Sequence, residues 1–410
     1  MDYTGQEGVR KTILEKQDPT NSVSSFFLQI GLAFSALLFI GANDGAIGVL
    51  IPGISAHYHI GQATAGQLFL FAAIGYLITT FNNGLLIEKL GSRFFLLLGI
   101  TACFASTLLL SLVPPFPGML LLVLLLGAGV AILDAGLNSY IAGLPRNTAL
   151  LNYLHAFYGV GALLGPLIAS TILAIGLAWN MVYVVLTAMC LALLIGFGLT
   201  FRLWNIVAQN EGEKTKGNIF MLTVRMRVVW IAAIFLLFYV GTEVSLGGWS
   251  YTFLTVARHG PPLIMGWIVS GYWAGLTLGR LTLAQVAQRV GEQRLIQACL
   301  FGVIVGLLVI WLIPVGAGAA IGLCFTGFCL GPIFPTTIAL MSKRVSARLL
   351  PSAIGFLASL GSMGAAIFSW GAGNLTQALG LWTLLPYEII LTIAMMFLWL
   401  ALRVRSQAEK

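Results

Sequence analysis

Twelve apolar runs, each long enough to cross a bilayer, occupy most of this chain. They fall near 26–50, 64–87, 94–113, 118–143, 150–174 and 179–203, then near 228–255, 263–287, 295–313, 316–341, 352–374 and 381–402. A hydrocarbon core about 30 Å thick takes roughly 20 residues of helix. Lipid offers no partner to an unpaired backbone N–H or C=O, so runs of this length fold as helices, numbered below as spans 1 to 12. Only 8% of the 410 residues are charged, against about 25% in soluble domains, which excludes a soluble fold. The sequence therefore predicts an all-α integral membrane protein of twelve transmembrane helices in two six-helix halves. The halves are 25–203 and 228–402, joined by a polar linker at 204–227. A polar segment, 1–24, precedes them and a short tail, 403–410, follows. The first segment lacks the apolar core and cleavage site of a signal peptide. The five cysteines all lie inside apolar runs, where they read as small buried hydrophobes.

The distribution of basic residues orients the chain. Twenty of the 21 Lys and Arg residues fall in the termini and the even-numbered connections, among them Arg10, Lys89, Arg93, Arg202, Lys214, Arg289, Lys343 and Arg403. Only Arg258 falls on the opposite side. Basic loops stay in the cytoplasm, so both termini are expected there, with the protein in the plasma (inner) membrane. The net charge of +8 then belongs to the membrane's cytoplasmic face, and no nucleic-acid partner is implied. The partners expected are the lipid bilayer and a small molecule, with the protein monomeric.

The halves repeat weakly. Both span 2 ("GYLITTFNNGLLIEKLGSRF") and span 8 ("GYWAGLTLGRLTLAQVAQRVGEQR") open on Gly-Tyr and end on a glycine with an arginine nearby. Two repeated half-bundles point to a transporter with its site between them.

Four carboxylates interrupt the spans: Asp44, Asp134, Glu243 and Glu388. A charged side chain costs about 2.5–3.5 kcal/mol at the bilayer centre on insertion scales. Counted by position, no Lys or Arg lies near a span midpoint, and Arg280 sits close to a cytoplasmic end. An acid without a counter-charge takes a proton or a cation from solution, which is what a cation-coupled carrier requires. Asp134 and Asn138 stand one helical turn apart on one face, so the amide can bond the acid or a solute hydroxyl. Glu243 falls near the middle of span 7. Glu388, only a few residues into span 12, is expected to reach interfacial water and to serve packing alone. Asn152 and His155 share a face in the cytoplasmic third of span 5, where the imidazole could relay protons.

"GLLIEKLGSR" resembles the loop signature of the major facilitator superfamily, with Gly84, Glu88 in place of the usual aspartate, Gly91 and Arg93. "GANDGAIGVLIP" in span 1, "LDAGLNSY" in span 4 and "LLNYLHAFYGVGALLGP" in span 5 resemble the fucose permease group. That group includes fucose–proton symporters and sodium-dependent glucose transporters. The resemblance implies that Asn43 and Asp44 form its span 1 pair, and that Asp134 with Asn138 is its span 4 acid and amide. It further implies a symporter coupled to H+ ahead of Na+, without a cofactor, carrying a monosaccharide such as glucose or fucose. Gly84, Glu88, Gly91, Arg93 and Arg280 would serve as a conformational latch.

A sugar needs an aromatic surface and neutral polar groups. Asn43, Gln67, Asn138, Asn152, His155, Trp249, Trp273, Trp370 and Asn374 are the candidates, with Trp273 and Trp370 ahead of Trp249, which reads partly as interfacial belt along with Tyr140 and Tyr251. The absence of a midspan cation favours a neutral solute over an anion. Gly161, Gly165 and Pro166 also match part of the span 5 pattern of drug–proton antiporters, so a proton-driven exporter is the main alternative. A non-transporting membrane receptor on the same fold is the third. No nucleophile–base pair, metal cluster or phosphate loop points to an enzyme.

Overall fold

The computed structural model describes residues 19–144, 147–204, 219–314, 316–346 and 348–408. Most of the N-terminal segment and of the linker, with Arg10, Lys11, Lys16, Arg146, Lys214, Lys216 and Lys410, lies outside the described residues. The described residues form helices and no strand.

Span 1 is Pro19–Tyr58. Spans 2 and 3 share the helical stretch Gln67–Ser111, broken at Gly91, whose φ of 74° and ψ of 158° no side-chain-bearing residue adopts readily. The glycine of the loop signature is thus the turn itself. Spans 4, 5 and 6 are Phe116–Ala142, Asn147–Ala174 and Asn180–Leu199. In the second half, spans 7, 8 and 9 are Arg227–Thr252, Pro262–Val290 and Glu292–Leu312. Span 10 is split into Gly316–Leu330 and Ile333–Ser342, because Pro332 cannot continue the ladder of hydrogen bonds. Spans 11 and 12 are Leu350–Leu379 and Leu384–Ala408.

The weak sequence repeat is stronger in the backbone. Left-handed residues recur at His59 and His259, at Gly91 and Gly291, and at Gly176 and Gly380, closing the same three turns in each half. Packing repeats as well: span 2 pairs with 4 and span 1 with 5, as span 8 pairs with 10 and span 7 with 11. The first crossing shows why. A Cβ on Gly75 would stand 1.9 Å from the carbonyl oxygen of Leu124, and one on Gly275 would stand 2.1 Å from that of Cys324. In lipid, helices associate through close packing of small residues, and each half places a glycine where its backbones touch.

Large side chains such as Phe27, Phe81, Ile390 and Phe397 are exposed around the outside of the bundle, as suits a lipid-facing surface. Four of the cysteines are buried, but Cys324 is exposed, contrary to the buried role expected of it. Tyr140, Trp249 and Tyr251, expected at an interfacial belt, are also inside the protein.

The two halves meet on the side away from the termini. Gly48, late in span 1, packs on the backbone of Gly248, late in span 7. The segment before span 2 meets the end of span 11, where the Ala63 N–H donates to Gln377 Oε1 at 2.8 Å. The early part of span 8 meets the late part of span 5 at Gly266 and Ser170. Toward the termini, Asn152 and His155 are exposed.

Candidate functional site

Asp44 and Glu243 lie on spans 1 and 7, which touch across the boundary between the halves, whereas Asp134 and Glu388 lie on spans 4 and 12. In the first half, Asp134 on span 4 is half-buried. The Tyr76 hydroxyl on span 2 donates to its Oδ2 at 2.8 Å, and Asn138 Nδ2 donates to its Oδ1 at 2.8 Å. The same amide nitrogen also reaches the Asp134 carbonyl oxygen at 2.9 Å. The i, i+4 spacing read from the sequence therefore produces a bond to the acid. Asp44 on span 1 is built in the same way: Asn43 Nδ2 donates at 3.2 Å and the Tyr158 hydroxyl on span 5 donates at 3.1 Å. Neither acid has a cation among its hydrogen-bond partners. Asp44 and Asp134 lie close enough to act on one another electrostatically.

The second half is built differently. Arg280 Nη2 donates to Glu243 Oε1 at 2.9 Å, forming an ion pair in which the Glu243 side chain is 9% exposed and that of Arg280 is 33% exposed. This corrects the sequence reading in two respects: Glu243 has a counter-charge, and Arg280 belongs to the centre of the site. The position of Arg280 along the chain was misleading. Its Cα lies about 27 Å from the start of span 8, at 1.5 Å per residue. Helical side chains point back toward the N-terminus, and the N-terminus of span 8 is on the far side. The long arginine thus leans inward to reach the middle of antiparallel span 7. The Tyr272 hydroxyl fixes the same stretch by donating to the Glu243 carbonyl oxygen at 2.8 Å.

The two halves share one electrostatic cluster. His155 lies within reach of both Asp134 and Arg280, and Tyr158 within reach of Asp44, Glu243 and Arg280. Span 5 therefore carries the residues that link the first half's acids to the second half's ion pair. Asn152, about one turn before His155, is exposed.

The aromatic candidates are placed less centrally. Trp249 is buried, and its indole N–H donates to the Ser369 carbonyl at 2.9 Å. Trp273 is buried with one edge against Gly247. Trp370 is 39% exposed on the far side, where its backbone approaches Gly66. Asn374 is exposed and its amide donates to the Trp370 carbonyl at 2.8 Å. Gln67 stands half-buried at the start of span 2, also on the closed side. These residues do not join the cluster around Asp134 and Arg280 in this conformation. Glu88 is exposed and Gly84 has open space around it, while Arg93 is half-buried after the Gly91 turn.

Glu388 differs from its expectation. It is fully buried, away from interfacial water, and the Ser245 hydroxyl lies 2.6 Å from its Oε1. Glu388 is only four residues into span 12, but its side chain faces Ser245 of span 7 rather than solvent. Tyr76 and Tyr158 were the main omissions as acid partners. The Gly-Tyr pair that opens the span 2 repeat was the available signal for Tyr76, since a hydroxyl next to a close-packing glycine sits where helices meet.

The comparisons with known proteins agree with this architecture. "Bypass of stop codon protein 6" of Saccharomyces cerevisiae is 23% identical over 86% of this chain and 78% of its own length. Among solved structures, the nucleoside transporter NupG superposes with a TM-score of 0.76 at 16% identity, covering 92% of this chain and 98% of its own. A D-xylose-proton symporter gives 0.75 at 15% identity, covering 91% and 97%. At such identities these two structures establish the fold alone. The family model described as the Major Facilitator Superfamily matches residues 33–369, and with twelve spans in two repeated halves around a shared polar cluster, the chain belongs to the Major Facilitator Superfamily of membrane transporters.

Proposed function

We propose that the protein is a secondary active transporter that carries a monosaccharide together with a cation, a proton ahead of sodium, by alternating access. The observation that carries this reading is the pair Asp44 and Asp134, each in an apolar half-bundle and, among the described residues, hydrogen-bonded by amide and phenol side chains. A carboxylate so placed gains its missing positive charge from solution, and binding or release of that charge changes the cost of closing the bundle. The resemblance to the fucose permease group in spans 1, 4 and 5 supports the same residues. The D-xylose-proton symporter and the nucleoside transporter among the similar folds are consistent with a hydroxylated solute.

With the termini in the cytoplasm, the face where the halves meet is the outer one, and Asn152 and His155 are exposed toward the inner one. In the proposed cycle, Asp44, Asp134 or both take up the cation when the outer face is open. Solute then bridges the halves, and rocking of one half over the other delivers both to the cytoplasm, with Glu88 and Arg93 holding one of the two states. Each charge moved across 100 mV supplies about 2.3 kcal/mol, or ~50-fold accumulation of a coupled solute.

Gly161 and Gly165, the residues shared with exporters, pack on the span 1 backbone at Leu38 and Ala42. A packing role accounts for them without export. Uptake into proteoliposomes under an imposed pH or sodium gradient tests the proposal with a panel of glucose, fucose and xylose. Concentrative uptake under an inward proton gradient is expected. Gradient-driven export of a dye, with no sugar accumulated, would establish the exporter instead, and ligand binding without any flux would establish a receptor.

A further inference from the structure

The Arg280–Glu243 pair bears on substrate class. Glu243 uses Nη2 of the guanidinium, while Nε is buried without a hydrogen-bond partner. The arginine is also the more accessible partner, with 33% of its side chain exposed against 9% for the glutamate. A guanidinium is a planar fork of N–H donors that matches a carboxylate, and its charge is permanent. Across the boundary between the halves stand His155 and Tyr158, both within electrostatic reach of Arg280. The cation, with Tyr239 also beside it, thus lies where a solute bridging the halves would be bound, with its Nε–H unspent.

We propose that Arg280 is a carboxylate-binding residue of the transport site, and that the protein accepts a sugar acid, a monosaccharide bearing a carboxylate. This rests on the transport reading above. The solute's carboxylate binds the free edge of the guanidinium beside Glu243, while its hydroxyls meet neutral donors and acceptors such as Asn138 and Tyr158. Charge then couples solute to proton. Asp44 and Glu243 act electrostatically on Tyr158, and Asp134 on His155, so an anion beside them is repelled while the aspartates are ionised and admitted once one of them carries a proton. One proton entering with one monovalent anion moves no net charge, whereas a proton with a neutral sugar moves one.

That difference is the test. Proteoliposomes holding the full chain are given an inward proton gradient, with radiolabelled D-glucuronate or D-glucose outside, with and without a potassium–valinomycin potential. The expected result is concentrative D-glucuronate uptake driven by the pH gradient and unchanged by the potential. A one-charge symport would instead respond by ~50-fold per 100 mV. In R280Q, and in the charge-neutral pair R280Q/E243Q that leaves no stranded acid, D-glucuronate uptake should fall by at least about tenfold. A thermal shift given by D-glucuronate in the wild type should vanish in the double variant. Accumulation of D-glucose with neither transport of nor competition by D-glucuronate would overturn this inference and leave the transport reading standing. D-Glucuronate uptake undiminished in the folded double variant would overturn the role of Arg280. Failure to accumulate either solute would overturn both.

Discussion

Asp134 and Glu243 are both carboxylates inside an apolar half-bundle, but their halves neutralise them by different means. Asp134 is held by a phenol and an amide at 2.8 Å each, groups that bond a carboxylate without cancelling its charge. Glu243 is held by a guanidinium at 2.9 Å, which does cancel it. The first half therefore keeps an acid that must exchange its charge with solution. The second keeps a pair whose charge is settled within the protein. On the function proposed above, coupling falls to the first arrangement and orientation of a solute to the second.

The largest effect should come from breaking the settled pair. R280Q strands Glu243, and removing one partner of a buried pair costs roughly 3–5 kcal/mol. Because Arg280 is a third exposed, about 3 kcal/mol is expected, read as a lower melting temperature in detergent. The double variant R280Q/E243Q should regain most of it; no recovery would show that the charge pair is not what the fold depends on.

D134N makes the opposite prediction. Asparagine keeps a hydrogen-bonding group beside Tyr76 and Asn138, so stability should change by less than about 1 kcal/mol. Uphill uptake should nevertheless be lost, with some solute exchange surviving. Concentrative uptake at the wild-type level would remove Asp134 from the coupling scheme and erase the contrast between the halves.

What the halves share should respond alike. G75A and G275A each press a Cβ against a facing backbone carbonyl, and overpacking of this kind costs about 1–3 kcal/mol. Matching losses in thermal stability are expected, and a loss confined to one variant would show that the repeated crossing does not bear equal weight.

The smallest effect is expected from E388Q. The glutamine carbonyl oxygen can accept from the Ser245 hydroxyl in the acid's place, so stability should move by under about 1 kcal/mol and transport should remain. Loss of the proton dependence of uptake in E388Q would place Glu388 among the coupling acids, and the second half would no longer be the settled one.

Much of this was legible in the residues because lipid narrows the choices. Helix existence followed from run length, the span 2–3 turn from Gly91, and the Asp134–Asn138 bond from a spacing of four along one helix. The partners drawn from other helices were not legible. Tyr76 reaches Asp134 and Tyr158 reaches Asp44 only because spans 2 and 4, and spans 1 and 5, cross closely at glycines. Glu388 was misplaced because distance along the chain from a span end does not say which way a side chain faces.

By itself the sequence pointed to twelve helical crossings in two related halves, since apolar runs of about 20 residues match a helix and are about twice what a barrel strand needs. It also determined that carboxylates are carried inside. The tertiary structure alone decided which of those carboxylates are neutralised, because that depends on the direction and reach of side chains from neighbouring antiparallel helices. Arg280 is the clearest instance: near a span end by residue count, it reaches the middle of the bundle because its helix runs the other way.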